Sequence, residues 1–188
     1  MRRALARAWI ATVAACLLAA PSHAGRIDRL ASEIGFTLTT RWGQTLRGRF
    51  PEYSGELRDL PDGRRQVRLW LSAADVRIVG NARYTRLTRG SGFFDAAQYP
   101  RVTFVSEPYD EALLHDGGPL VGTLVIRDVQ RRETFTVLPA ECPRPGRDCD
   151  VVATGVIDRA DYGMDRWNVA LAPEVRFQLR IRIRGGDA

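Results

Sequence analysis

The stretch Val175–Arg184 reads VRFQLRIRIR. Val175, Phe177, Leu179, Ile181 and Ile183 alternate without a break with Arg, Gln, Arg, Arg and Arg. Successive side chains of a β-strand point to opposite faces, so this is a strand with one apolar and one charged face. A helix would scatter the same residues around its circumference. A long strand with a wet outer face belongs to an antiparallel sheet that meets solvent on one side.

The same alternation recurs upstream. Gly35–Trp42 (GFTLTTRW), Arg65–Ser72 (RQVRLWLS) and Arg101–Glu107 (RVTFVSE) read as strands. Gln44–Leu60 reads as a long strand interrupted by Pro51 and Gly55, so that it bends or bulges there. Pro61-Asp62-Gly63 is a turn. Pro119–Val129 and Glu133–Pro139 flank Gln130-Arg131-Arg132, which the spacing assigns to a hairpin turn. Asp150–Met164 is a strand followed by a turn. Ala73–Arg89 has no clean period and is assigned one short helix or an irregular connection. The expectation is an all-β domain of about eight long antiparallel strands with one or two short helical pieces. Sandwich and barrel both satisfy it. A barrel removes exposed edges, and with about eight strands its interior is filled or holds one small ligand.

The ends and composition bound the setting. Residues 1–24 combine Arg2, Arg3 and Arg7, an apolar run to Ala20, and Ser22-His23-Ala24. This is the pattern of a cleaved secretory signal, with residues 25–188 left as a single domain. An uncleaved anchor, or lipoprotein processing at Cys16, is the weaker reading. The formal charge is +6, with every basic residue an arginine. Three of these lie in the first 24 residues, so the remainder is only mildly basic. The arginines alternate with apolar residues or sit among acids, which argues against nucleic acid as a partner. An anionic membrane surface is an allowed one. In ECPRPGRDCD, Cys142 and Cys149 are read as a local disulfide pinning a loop; a redox or metal pair is the alternative.

A second stretch asks about function. Ser91–Arg101 reads SGFFDAAQYPR. Gly90 and Gly92 are read as letting the chain turn, Asp95 as N-cap of a single helical turn over Asp95–Gln98, and Pro100 as launching the next strand. Phe93 and Phe94 need an apolar cover. They either plug one end of a core or line a cavity beside Phe104.

Three motifs in order carry a resemblance. FFDAAQYPRVTF (93–104), GTLVIRDVQRRETFTV (Gly122–Val137) and GVIDRADYGM (Gly155–Met164) are similar to the signatures of the YceI-like family, over nearly all of residues 25–188. The resemblance implies an extended eight-stranded, lipocalin-like antiparallel barrel in the periplasm. It implies a polyisoprenoid or isoprenoid-quinone-type lipid held inside. The Arg-Asp…His-Leu pattern common before the double phenylalanine is absent from NARYTRLTRGSGFFD (81–95), and a common hairpin glycine is Asp128. Tail binding is therefore the safer inheritance, and headgroup contacts are not inherited.

The chemistry points the same way. His115, in LLHDGG, is the one histidine after residue 24 and reads as a loop residue. Asp158 and Asp161 read as turn and ion-pair residues, not an acid–base pair. No phosphate loop, nucleophile elbow or metal cluster stands out. The expectation is a non-catalytic binding barrel that needs no cofactor. Its wall is assigned to Trp42, Leu69, Leu71, Phe93, Phe94, Phe104, Leu124, Ile126, Phe135, Val137, Met164, Phe177, Leu179 and Ile181. Arg83, Arg159 and Tyr162 are the candidates for orienting a headgroup. Transient membrane contact and a homodimer are compatible with this reading. An enzyme acting on a lipid-like substrate, or a filled structural barrel, is the alternative.

Overall fold

The computed structural model describes residues 25–184; the expected signal segment and Cys16 lie outside them. The strands are β1 (Gly25–Ile27), β2 (Glu33–Thr40), β3 (Thr45–Arg49), β4 (Tyr53–Asp59), β5 (Arg65–Ser72) and β6 (Arg77–Ile78). A short helix α1 (Ala82–Arg89) follows, then β7 (Arg101–Ser106) and a second helix α2 (Ala112–Asp116). The chain ends in β8 (Gly118–Ile126), β9 (Val129–Val137), β10 (Val151–Asp158), β11 (Leu171–Ile181) and β12 (Ile183–Arg184). A 3-10 turn, Arg159–Tyr162, follows β10.

All twelve strands form one sheet. The opening stretch explains how it closes. β11 pairs along Val151–Asp158 on one side and with β2 on the other. One residue later the same stretch continues as β12, which pairs with β1, and β1 pairs with β4. The ladder then runs through β5, β7, β8, β9 and back to β10. The ring is an antiparallel barrel of eight strands, counting β11 and β12 as one. β2, β3 and β6 extend the sheet beyond that ring.

Four local expectations are corrected. Gln44–Leu60 breaks into β3 and β4 at Phe50–Glu52, as expected at Pro51, but Gly55 does not interrupt it: it lies inside β4, where it leaves room for Ile27. The β8–β9 turn is Arg127-Asp128, with φ of 52° and 61°, not Gln130-Arg131-Arg132. Two successive positive φ values make the tight turn that matches strand twist, and here neither residue is the usual glycine. Asp95 does not cap through its side chain. It takes φ 48°, and its carbonyl accepts from the Gln98 and Tyr99 amides at 3.0 and 2.8 Å. Finally, α2 forms where the sequence reads as loop.

The interior is apolar and unevenly filled. At one end Phe36, Phe50, Phe93 and Phe94 are 1–2% exposed and stack with ring centroids 5.0–6.1 Å apart. Val76, Ile126, Tyr162 and Met164 complete this plug. Gly92 is needed there for space, since a Cβ would stand 2.7 Å from Trp167 Nε1. The other end is hollow.

Candidate functional site

The hollow is an apolar cavity of about 100 Å³ that opens to solvent at its mouth. Strand alternation builds it. Val67, Leu69 and Leu71 point in from β5, Val102 and Phe104 from β7, and Leu120 and Leu124 from β8. Phe135 and Val137 come from β9, Val151 and Ala153 from β10, and Phe177, Leu179, Ile181 and Ile183 from β11 and β12. Ile27 and Leu57 close the β1–β4 side. Phe104, Phe135 and Phe177 meet edge to face, centroids 5.0 and 6.3 Å apart, and Phe36 joins Phe177 at 6.0 Å. The aromatic plug is thus the floor of the cavity. The Phe135 ring lies over Gly155, where a Cβ would come within 2.6 Å of it.

The mouth is framed by α2, Tyr109 and the disulfide loop. α2 presents Leu113 and Leu114 to the space. Cys142 and Cys149 are joined, and the loop between them packs on β12 through the Ile183 amide to Gly146 carbonyl bond at 2.7 Å. Tyr109 brings the one side-chain hydroxyl among the lining residues. Burial pushes its pKa up to about 12, so it stays a neutral phenol. Tyr109 and Arg65 exchange backbone hydrogen bonds at 2.8 Å, and the Arg65 guanidinium bridges Asp59 and Glu111 at the rim.

Of the residues assigned to the wall by sequence, Leu69, Leu71, Phe104, Leu124, Phe135, Val137, Phe177, Leu179 and Ile181 line this cavity. Phe93, Phe94, Ile126 and Met164 do not; they are packed solid in the plug. Trp42 is 66% exposed. Strand β2 ends at Thr40, and the alternation that would turn Trp42 inward does not continue through the turn. Val67, Leu120 and Ile183 share the parity of their neighbours and were legible by extending each alternation. Leu113, Leu114 and Tyr109 carried no such signal.

None of the three polar candidates reaches the cavity. Arg83 is exposed on α1. Arg159 is 0% exposed within the plugged end, where it donates to the Met164, Ala172 and Leu171 carbonyls and to Asn168 Oδ1. Burial lowers its pKa. Tyr162 is 0% exposed and donates to Glu133 Oε1 at 2.7 Å; burial first, then that carboxylate, raises its pKa. Asp158 accepts from the Ala160 amide, and Asp161 pairs with Arg131. His115 is exposed on α2. Among the described residues no group of three or more His, Cys, Asp or Glu side chains converges as a metal site, and no helix is long and apolar enough to cross a membrane.

The family model of the YceI-like domain matches residues 26–183. The solved structure of BcnA from Burkholderia cenocepacia superposes with a TM-score of 0.67 at 21% identity, covering 82% of this chain and 98% of that one. A polyisoprenoid binding domain from Saccharophagus degradans, implicated in plant cell wall breakdown, gives 0.65 at 16%, covering 87% and 99%. The Campylobacter jejuni YceI protein gives 0.56 at 19%, covering 75% and 85%. At such identities these likenesses speak to the fold. No curated protein sequence matches. With its closed antiparallel barrel and a family match over nearly every described residue, the chain belongs to the YceI-like family.

Proposed function

We propose that this protein holds a polyisoprenoid or isoprenoid-quinone-type lipid by its tail in the barrel cavity. It acts as a carrier or store in the periplasm, without catalysis and with no cofactor beyond the lipid itself. The observation that carries the reading is the lining: strand after strand contributes aliphatic or aromatic side chains, with the Tyr109 hydroxyl at the mouth as their polar exception. An unbranched polar ligand would lose its hydration there and find almost nothing in return. A prenyl tail gains about 0.8 kcal/mol for each methylene-sized group buried. The polyisoprenoid-binding relative from Saccharophagus degradans supports the ligand class. The disulfide supports an oxidising compartment. In this reading the tail lies between β5, β8 and β11, with its head at the mouth beside Tyr109 and Arg65.

Native mass spectrometry of protein purified from a periplasmic extract tests this, followed by solvent extraction and identification of any lipid. A discrete added mass that resolves to a prenyl lipid is the expected result. Protein that is apo, and stays apo after incubation with a series of prenyl lipids, would overturn the reading.

A further inference from the structure

The charges are divided unevenly between the two ends of the barrel. Around the mouth most arginines are matched, the exposed Arg26 and Arg147 excepted. Arg182 and Arg180 hold Asp150 at 2.5 and 2.7 Å, and Arg184 holds Asp28 at 3.0 Å. At the plugged end Arg131 pairs with Asp161, but most of the other arginines have no carboxylate partner. From Val76 to Phe94 the chain carries Arg77, Arg83, Arg86 and Arg89 and no acidic residue. Among the described residues, no carboxylate pairs with Arg41, Arg83, Arg86 or Arg166, all of them exposed. Asp128, Asp158, Asp161 and Asp165 are exposed acids of this end, and Asp161 is already held by Arg131.

Large apolar side chains stand out among these cations. Val169 is 89% exposed, Trp42 66%, Val79 56% and Leu87 37%. Hydrogen bonds join the Trp42 turn to the Val169 loop, and that loop to the chain just past α1. Arg41 bonds the Asn168 carbonyl through its side chain at 3.2 Å and the Ala170 carbonyl through its amide at 2.9 Å, which sets Trp42 beside Val169. Arg166 reaches Ser91 Oγ at 3.3 Å, just past the end of α1. On α1, Arg83, Arg86 and Leu87 fall at i, i+3 and i+4 and share a helix face.

We propose that this plugged end is a docking face for an anionic bilayer surface. Charge complementarity selects the occupant: unpaired arginines attract a negative surface, and screening by salt weakens the attraction. The apolar residues fit the same partner. A tryptophan on a turn tip flanked by arginine belongs at the headgroup level, its ring amphipathic and its neighbours cationic. The barrel mouth lies at the opposite end and stays uncovered. The inference does not depend on what the cavity holds.

Co-sedimentation at low ionic strength tests it, using vesicles of phosphatidylcholine alone and of phosphatidylcholine mixed with phosphatidylglycerol. Uptake by the anionic vesicles, little by the neutral ones, and loss with added salt are expected. R83Q/R86Q lowers the partition coefficient about 25-fold, at about fivefold for each charge removed. W42A lowers it as well and abolishes part of the fluorescence blue shift seen on binding. R144Q, at the mouth end, leaves it unchanged. All these positions are exposed, and unchanged thermal unfolding verifies that the variants are folded. Absence of uptake by anionic vesicles would overturn the proposal. So would equal uptake of R83Q/R86Q, equal loss in R144Q, or binding confined to an acidic protein.

Discussion

Arg159 is a full charge with 0% exposure and no carboxylate partner among its hydrogen bonds. Carbonyl dipoles of Met164, Leu171 and Ala172 and the Asn168 amide oxygen replace its hydration. The fork geometry of a guanidinium lets one side chain pin the 163–170 loop to the bulged start of β11. Burial lowers its pKa, but from so high a reference that the group stays charged. Arg159→Met should lower stability by roughly 3 kcal/mol, because the carbonyls lose their donor, and Arg159→Lys should recover little of it. Urea unfolding measures both. The buried phenols give a second prediction. Tyr162 and Tyr109 both have raised pKa values, driven first by burial, with Tyr109 at about 12. The folded state therefore keeps protons that the unfolded state releases. Their contribution is complete below about pH 10 and falls as pH rises above it. Urea midpoints should drop above pH ~10, less steeply in Tyr109→Phe. Sequence placed Arg159 and Tyr162 in a recurring motif, but their residue types could not reveal that both serve the plug.

Among the elements, the β11–β12 stretch performs the closure. Its alternation was readable, yet the hand-over from β2 to β1 within it was not, because pairing partners are long-range. Carboxylates guard that seam. Hydrogen bonds from Arg182 and Arg180 hold the Asp150 carboxyl below its usual range, and Arg184 does the same for Asp28. Lowered carboxyl pKa values stabilise the fold above the ordinary carboxylate range and lose that effect as pH falls through the folded values. Amide exchange at Ile183 and Asp28, which bond to Gly146 and Arg182 carbonyls, should therefore accelerate below about pH 4 before the β8–β9 hairpin does. Hydrogen exchange by NMR reads this directly. The hairpin shows the limit of turn reading. Arg127-Asp128 adopts two left-handed conformations without glycine or asparagine, so the ladder from Ile126↔Val129 to Gly118↔Val137 set the turn, not turn chemistry.

For the molecule as a whole, plug and cavity separate stability from capacity. Phe94 packs against Phe36, Phe50 and Phe93 and does not line the cavity. Phe94→Ala should cost about 3–5 kcal/mol in unfolding experiments, while the protein that stays folded takes up prenyl lipid as before. Leu120→Trp should do the reverse: the larger side chain enters free space near the mouth, so thermal stability is kept and lipid uptake falls more than tenfold. A titration of each variant with a prenyl lipid, beside its melting curve, checks the pair. Sequence by itself determined most of the long strands and most of their inward faces, the cysteine pair and the family motifs, since each is local or periodic. Tertiary structure alone decided that Phe94 fills a plug while Phe104 walls a space. Both are apolar and buried. Whether a ring meets another ring across the barrel or an open volume depends on distances between strands far apart in the chain, and alternation along one strand carries no record of them.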